Sequence, residues 1–395
     1  MTRVVVTGLG AVSPYGAGVV AFWKGLAAGH CAIRDLSLIE TDGFRCRIGA
    51  EVPGPVAGGS ARRTRADRLA MIAAGEALAD AELSARERED AALIVGAVGG
   101  GMLEAEAWYW RDTRDGAHPA SLAAVRSVLP AAHAETLASR FRLHGPRSTV
   151  VTACSSGAVA LAEAAELITD SVVDVALAGG VDAVTRICFM GFNALKLLDP
   201  SPCRPFDRDR RGMSIGEGAG FAVLESEAHA RARGARVYAT LSGYGMTTDA
   251  FHVTAPEPDG DGMVRAMSAA LARARVTPDE VQYANAHGTG TPQNDRIEAR
   301  ALARVFGEGR LLVSSSKSMI GHTMAAAGAL EAVATILALV HEVVPPTANL
   351  VSPDPEVSFD CVPCTSRPAR LACAISNSFG FGGQNVTLLF QRGLA

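Results

Sequence analysis

The sequence predicts an α/β protein built from two similar halves, because two pairs of segments repeat along the chain. A β-rich run that enters a hydroxyl-Gly-x-Gly sequence occurs at Val5–Ala11 and again at Thr240–Met246. A strand-like run followed by a Gly/Ser loop and an alanine-rich helix starts at Ser148 and again at Leu311. A strand–helix unit that occurs twice predicts a duplicated fold whose copies pack against each other.

Two buried helices are expected at the centre of this fold, because helices with small residues on several faces pack closely on several sides. The apolar stretch Gly328–Val344 contains three ionisable residues, so it is predicted to be a core helix rather than a membrane span. The boundary is placed in the Arg-rich turn Ala230–Arg236. This gives an N-terminal half of residues 1–234, which carries the candidate nucleophile, and a C-terminal half of residues 235–395, which carries two candidate histidines.

Other runs predict individual strands. Val173–Ala178 leads into two glycines and is typical of a buried parallel strand. Leu371–Ile375 and Val386–Phe390 are predicted to be strands on either side of a Gly-rich loop over Ser376–Asn385. That loop could approach a ligand closely and let a phenylalanine swing, or it could be a plain hairpin turn.

Composition excludes several classes of protein. The chain has 395 residues, 48% hydrophobic and 20% charged, which is ordinary for a globular protein and not for a disordered one. A net charge of −4 does not attract nucleic acid or an anionic membrane. The start lacks the long apolar region of a signal peptide, and eight cysteines are too few for a disulfide scaffold, so a reduced, cytoplasmic protein is expected. Cys361 and Cys364 have no second ligand pair, and no metal site is expected.

Cys154 is the first candidate catalytic residue. It lies between a predicted strand and a predicted helix, where unpaired backbone N–H groups and the helix dipole favour a thiolate. The sequence therefore predicts a nucleophile with a lowered thiol pKa. The alternative is a small buried residue in a tight junction.

Two histidines and a lysine are the next candidates. His287 follows the apolar run Val281–Ala284, at the expected carboxyl end of a strand, while Lys317 and His322 lie in a loop before the second alanine-rich helix. Each alone could cap a turn or bind an anion. Together with a cysteine, however, two imidazoles could donate to a carbonyl oxygen on which negative charge develops.

Six motifs in this order resemble the β-ketoacyl-ACP synthases, especially the type II elongating enzymes and the related polyketide ketosynthases. The resemblance covers nearly the whole chain. The motifs are Val150–Gly157, Arg204–Asp207 with Gly216–Gly220, Asp249–Thr254, Asn285–Pro292, Lys317–His322 and Ser376–Gly383.

The resemblance implies a thiolase-like α/β fold of two pseudo-symmetric βαβαβαββ halves in a five-layered αβαβα arrangement. It implies that Cys154 carries an acyl thioester and that His287 and His322 bind the malonyl thioester carbonyl during decarboxylation. Further roles follow for the remaining matched positions: Lys317 and Glu331 as a supporting charged pair, the N–H groups of Cys154 and Phe381 as an oxyanion hole, Phe381 as a gate, and Thr254, Thr289 and Thr291 as contacts of the phosphopantetheine arm.

The resemblance also implies partners. An acidic acyl carrier protein should dock on arginines, and no cofactor beyond its phosphopantetheine is expected. The candidates for docking are Arg62, Arg63, Arg65 and Arg68, with Arg208, Arg210 and Arg211 as a second cluster. A homodimer, or a heterodimer with a homologous subunit, is expected, and its acyl pocket would include Val98 or Gly99 and Phe192.

Three positions depart from the elongating enzymes: Met213, Ile320 and Gln384 stand where Phe, Thr and Thr are usual. They favour a type II polyketide system over housekeeping fatty-acid elongation. The segment Met102–His133 also fits the family poorly, and its run Trp108–Trp110 could pack across a dimer interface or in the core. A non-catalytic partner of the chain-length-factor kind, which would lack the cysteine, is the alternative from another class. A biosynthetic thiolase would need a second cysteine where Phe379 and Phe381 stand.

Overall fold

The computed structural model describes residues 2–54, 56, 63–114 and 123–393. The strands of the N-terminal half are β1 (Val4–Ser13), β2 (Gly16–Ala17), β3 (Arg34–Asp35), β4 (Ile48–Ala50), β5 (Ala92–Ala97), β6 (Arg147–Val150), β7 (Val175–Asp182), β8 (Ile215–Gly216) and β9 (Gly218–Ser226). Its helices are α1 (Val19–Ala27), α2 (Arg65–Asp80), α3 (Ala85–Glu89), α4 (Met102–Thr113), α5 (Ala123–Arg126), α6 (Ala131–Phe141), α7 (Ser156–Thr169), α8 (Arg186–Ala194) and α9 (Glu227–Ala232).

The C-terminal half begins after α9, and the predicted boundary lies in this connection. Its strands are β10 (Ala239–Thr248), β11 (Tyr283–Asn285), β12 (Leu312–Ser314), β13 (Val343–Val344), β14 (Asp360–Cys361), β15 (Arg367–Pro368), β16 (Cys373–Gly380) and β17 (Gln384–Arg392). Its helices are α10 (Asp261–Ala274), α11 (Pro292–Phe306), α12 (Lys317–Ile320) and α13 (Ala327–His341).

The two halves have the same sheet topology, which confirms the predicted duplication. The N-terminal half has the strand order β6-β5-β7-β9-β1, and the C-terminal half has β12-β11-β16-β17-β10 with β14 added at the edge. In each, the strand next to the last runs antiparallel to its neighbours, as β9 does against β7 and β1 and β17 does against β16 and β10. The halves join where β1 pairs with β10.

The repeated glycines explain how each half packs its outer helix. A Cβ on Gly8 would lie 2.2 Å from the Ala77 carbonyl of α2, and one on Gly243 would lie 2.2 Å from the Ala270 carbonyl of α10. The helix backbone therefore rests directly on the strand in both halves, and each strand carries a register shift beside this glycine. The glycines of the hydroxyl-Gly-x-Gly repeat therefore allow a helix to pack closely against the strand in each half.

Helices α7 and α13 form the middle layer between the two parts of the sheet. Gly157 and Gly328 let their backbones meet, since a Cβ on either would contact backbone atoms of the other helix within 2.9 Å. α13 is buried almost throughout, as predicted. Within the described residues one stretch, Met324–His341, is long and apolar enough to span a membrane, and 89% of it is buried inside the protein.

The strand predictions are confirmed with one correction. β7 begins two residues after the start of the predicted run, at Val175, and pairs in parallel with β5. The loop predicted over Ser376–Asn385 is too long, because β16 and β17 extend to Gly380 and Gln384 and leave a tight hairpin. The polar residues of this stretch that lie in β16 are buried. A search for apolar runs therefore could not show that the strand continues through them.

Candidate active site

A cavity lies just beyond the carboxyl ends of β6, β11 and β16. Cys154, His287 and His322, which are far apart in the sequence, line it together. The other lining residues named by the sequence analysis are Phe192, Met213, Thr254, Thr289, Thr291, Phe379 and Phe381.

Cys154 sits in a tight junction between β6 and α7. The 3₁₀ turn Ala153–Ser155 precedes the helix, and Ala153 has a left-handed φ of 49°. The Ser156 hydroxyl braces this turn, since it donates to the Ala153 carbonyl at 2.7 Å and accepts from the Thr152 N–H at 2.9 Å. A strained backbone held in this way presents the thiol to the cavity at a fixed angle.

The predicted lowering of the Cys154 thiol pKa is wrong. Burial raises this pKa to about 11, although the Phe381 N–H and the Lys317 ammonium act in the opposite direction. The side chain is 7% exposed, and the cost of removing a thiolate from water exceeds the help of the helix end. The Cys154 thiol is therefore neutral before a substrate binds, and the substrate must supply a group that accepts the thiol proton.

Phe381 brings a backbone N–H and an aromatic ring close to Cys154. The N–H hydrogen-bonds to the Cys154 thiol, and the Phe381 ring lies 5.9 Å from that of Phe192 between centroids. Gly380 lets the hairpin approach, because a Cβ there would lie 3.3 Å from the Cys154 nitrogen. The N–H groups of Cys154 and Phe381 thus border the same part of the cavity, where a negatively charged oxygen could be bound.

His287 is held by its backbone and by one ring nitrogen. Its N–H and that of Gly288 donate to the two oxygens of Glu298, each at 2.8 Å. The Lys317 ammonium lies 3.3 Å from Nδ1, which leaves Nε2 to carry the imidazole proton. Burial, and then the charge of Lys317, hold the His287 pKa well below its usual value.

His322 has the same tautomer for a different reason. The Met324 N–H donates to its Nδ1 at 3.1 Å, so Nε2 carries the proton, and this nitrogen has no partner within the described part of the chain. Burial and Lys317 lower the His322 pKa well below 6.5. The two rings are 5.5 Å apart and nearly perpendicular. The site therefore offers two neutral N–H donors beside a thiol.

Lys317 and Glu331 form an ion pair behind the histidines, and both are 1% exposed. Burial raises the Glu331 pKa to about 7, although Lys317 acts to lower it. Burial keeps both imidazoles neutral, and the charge of Lys317 acts in the same direction.

Three threonines also line the cavity. The Thr289 and Thr291 hydroxyls lie 2.9 Å apart, and Thr291 also caps α11. Thr254 donates its N–H to Nδ1 of His252 at 3.1 Å. These hydroxyls could hydrogen-bond to an extended polar chain.

Sequence reasoning missed two buried carboxylates on α11. Glu298 holds the His287 loop, and Asp295 accepts N–H bonds from Gly290 and Phe206. Burial raises the Glu298 pKa to about 7, while the N–H bonds of the loop lower it. Their spacing of three on an amphipathic helix is the signal that could have found them.

Two predicted pocket residues lie elsewhere. Val98 and Gly99 do not line this cavity in the single chain, whereas Phe192 does. The Gly99 N–H donates to Asp182 at 2.7 Å.

The core alternative for the aromatic run is wrong for Tyr109 and Trp110, which are 55% and 44% exposed on α4.

The predicted arginines separate into two groups. Arg65 and Arg210 are both 8% exposed, and their guanidinium groups pair with buried Glu217 and with Asp354. Their assignment to docking is therefore corrected to a structural role. The remaining candidates are half-buried or exposed at Arg63, Arg68, Arg208 and Arg211, and Arg62 lies outside the described residues.

Comparison with known proteins gives the same picture as the geometry. Residues 1–230 match the N-terminal domain and residues 238–351 the C-terminal domain of the β-ketoacyl synthase family models. The 3-oxoacyl-[acyl-carrier-protein] synthase 2 of Rhizobium meliloti (strain 1021) is 40% identical over 423 residues, covering 99% of each chain.

Two solved structures are similar over their whole length. The ishigamide ketosynthase/chain length factor matches with a TM-score of 0.95 and 36% identity and covers 100% of both chains. A type II polyketide ketosynthase, bound to a hexaketide and in complex with its acyl-carrier protein, matches with a TM-score of 0.92 and 32% identity and covers 99% of this chain and 100% of that one.

The duplicated fold and the cysteine facing two imidazole donors define a thiolase-like condensing enzyme. The chain belongs to the β-ketoacyl synthase family. It is an acyltransferase that condenses acyl units in fatty acid or type II polyketide synthesis, and this family uses no cofactor beyond the phosphopantetheine of the carried substrate.

Proposed function

We propose that this chain condenses a malonyl unit, held on an acyl carrier protein, with an acyl group held on Cys154. The observation that carries the proposal is the convergence of the Cys154 thiol and the free Nε2–H donors of His287 and His322 on one cavity. The pathway we propose is a type II polyketide system.

The first half-reaction moves the acyl group. The Cys154 sulfur attacks the thioester carbonyl of the acyl carrier protein, and the departing carrier thiolate takes up the thiol proton. Because the Cys154 thiol is neutral at rest, this transfer needs that proton acceptor. The N–H groups of Cys154 and Phe381 stabilise the tetrahedral oxyanion.

The second half-reaction forms the carbon–carbon bond. Loss of CO₂ from malonyl leaves an enolate, whose oxygen accepts from Nε2 of His287 and of His322. The enolate carbon attacks the Cys154 thioester carbonyl, the new C–C bond forms as the C–S bond breaks, and the departing Cys154 thiolate takes a proton from solvent water. Neutral imidazoles suit this step, since their pKa values lie well below the usual value and they remain N–H donors at neutral pH.

The phosphopantetheine arm is proposed to run past Thr254, Thr289 and Thr291. The carrier protein would dock on Arg68 and Arg208, with Arg63 and Arg211 beside them. The reversal Arg68→Glu with Arg208→Glu should raise the KM for the carrier-bound substrate about tenfold and leave kcat unchanged. Arg231→Glu, at an exposed site on α9, is the matched control, and an unchanged KM in the double variant would remove this docking surface.

A second chain is proposed to cover the apolar face of α4, α5 and α8. Tyr109, Trp110, Val125, Ile187 and Met190 are exposed there. The partner would be a second copy or a Cys-less homologue of the chain-length-factor kind, and Val98 and Gly99 would then close the acyl pocket.

The protein is proposed to be cytoplasmic. A non-catalytic role is disfavoured because Cys154, both histidines and Lys317 are all present in the cavity.

The test is reconstitution with acyl and malonyl carrier proteins, alone and with a Cys-less homologue. Intact mass should show an acyl group on Cys154, and native mass spectrometry should show a dimer. Products formed by the chain alone would favour a homodimer, whereas products only with the homologue would favour the heterodimer. If Cys154 is never acylated in either arm, the proposal is wrong. Fully saturated products with the carrier of fatty-acid synthesis would assign the chain to elongation instead.

A further inference from the structure

Asp182 lies outside the described catalytic set but contacts both halves of the molecule. It is the last residue of β7 and is 1% exposed. Oδ1 accepts from the Gly99 N–H at 2.7 Å and from the Gly100 N–H at 3.3 Å. Oδ2 accepts from the Ala325 N–H at 2.9 Å, in the C-terminal half.

The equivalent position in the N-terminal half shows why the hydrogen bond from Ala325 to Asp182 matters. The 3₁₀ turn Met324–Ala326 precedes α13 as the turn Ala153–Ser155 precedes α7, and Met324 has a left-handed φ of 55° where Ala153 has 49°. Ala325 is thus the counterpart of Cys154. The Cys154 N–H borders the substrate cavity, whereas the equivalent Ala325 N–H is occupied by the protein's own carboxylate.

The turn that Asp182 holds also fixes the His322 ring. The backbone of His322 is secured separately, because its N–H donates to the Ser214 carbonyl at 2.7 Å and its carbonyl accepts from Gly216 at 2.8 Å. The ring, however, depends on the Met324 N–H at Nδ1. Met324 has a strained backbone, and the residue after it is tied to Asp182.

We propose that Asp182 is a positioning residue for His322: through the Ala325 N–H it holds the strained Met324 turn whose own N–H keeps the His322 imidazole in its Nε2–H donor state. A carboxylate suits this place because both oxygens face N–H donors. Burial raises the Asp182 pKa to about 6, while the Ala325 and Gly99 N–H groups lower it, so the side chain is ionised at neutral pH. The inference rests on the proposed role of His322.

The test separates the two half-reactions in the purified full chain. In Asp182→Asn the amide can accept from only one side, so either the Ala325 N–H or the Gly99 N–H faces an NH₂ group. Malonyl decarboxylation and the condensation kcat should fall about tenfold to a hundredfold. The KM for the malonyl carrier and the rate of Cys154 acylation should stay within about twofold.

Two further variants make the result decisive. Asp182→Glu keeps both acceptors and should recover part of the lost kcat; it carries the test if Asp182→Asn does not fold. Glu51→Gln removes one oxygen from another buried carboxylate, which holds the Ser37 and Leu38 N–H groups and does not line the cavity. It should lower the melting temperature without separating the half-reactions.

The outcomes that overturn the inference are specific. Equal losses of acylation and decarboxylation in Asp182→Asn, in line with the fall in melting temperature, would make Asp182 merely structural, and unchanged kinetics would remove any role. His322→Ala is the reference for the proposed function. If that variant decarboxylates malonyl at the wild-type rate, the role of His322 itself fails, whatever Asp182→Asn does.

Discussion

The two halves share a fold but differ at one junction, and that difference holds the chemistry. In the N-terminal half residues 151–152 join β6 to the turn before α7, and this turn contains Cys154, the proposed nucleophile. In the C-terminal half residues 315–323 make the same connection and include α12, so Lys317 and His322 lie in added chain rather than in the repeated frame. One copy of the repeat thus supplies a thiol and the other supplies its charged and imidazole partners.

A second difference lies at the ends of β7 and β16, which occupy equivalent places in the two halves. β7 ends in Asp182 and β16 ends in Gly380, and the register of each with its neighbour makes these residues equivalent. The glycine lets the Phe381 hairpin lie against the thiol, whereas the aspartate closes the corresponding space in the other half. The Ala325 N–H is therefore bound by a carboxylate, whereas the Cys154 N–H borders the cavity.

The largest expected effect is at the nucleophile. Cys154→Ala should abolish condensation while the melting temperature changes little, because a small side chain is lost from a well-braced turn. Cys154→Gln should instead decarboxylate malonyl, since its amide resembles the acylated thiol. Cys373→Ala, at another buried cysteine with a raised pKa, should retain activity. Product formation by Cys154→Ala would refute the assignment.

The histidines should have the next largest effect. His287→Ala and His322→Ala should each slow decarboxylation about 10²- to 10³-fold, as removal of one oxyanion donor does in other enzymes. The Cys154 acylation rate should change much less. His144→Ala, at an exposed histidine, is the control. If only Cys154 acylation were lost, the assignment of the two histidines to decarboxylation would be wrong.

The pH dependence of stability tests the carboxylate that holds the His287 loop. Burial raises the Glu298 pKa from 4.5 to about 7, so its contribution to stability is full below pH 4.5 and is lost as the pH rises through 7. Replacement by Gln removes that dependence. The free energy of unfolding of wild type minus Glu298→Gln should therefore fall by roughly 3 kcal/mol between pH 4.5 and 7.

Chemical denaturation at several pH values measures this difference. Glu308→Gln, at an exposed carboxyl, is the control and should follow wild type. A difference between wild type and Glu298→Gln that does not change with pH would show that Glu298 is not buried as described.

The smallest effect should be equal in the two halves. Gly8→Ala and Gly243→Ala would each place a Cβ 2.2 Å from a helix carbonyl, so each should destabilise the fold by roughly 1–3 kcal/mol. Gly234→Ala tests a glycine with no atom of the described residues within 4 Å of its Cβ position but with a φ of +68°, and its smaller cost should be the strain of that conformation alone. Clearly unequal costs at Gly8 and Gly243, measured by denaturation, would weaken the symmetry of the packing.

The sequence by itself determined the duplicated α/β fold, the core helix α13 and the three residues that meet in the cavity. Repeated Gly-x-Gly runs, apolar strands and Gly/Ser junctions are local patterns, and the carboxyl ends of strands gather loops in a predictable place. The family resemblance supplied the roles of Lys317, Glu331 and Phe381.

Only the tertiary structure decided the electrostatics. The Cys154 pKa is raised rather than lowered because burial by residues distant in sequence outweighs the local helix end. Arg65 is a buried partner of Glu217 although its neighbours Arg63 and Arg68 are more accessible, and no helical pattern distinguishes them. The sequence does not show which loops Glu298 and Asp182 hold, because the N–H donors that need these carboxylates come from other segments. Burial and long-range hydrogen bonds depend on the whole fold, and so do the ionisation states they set.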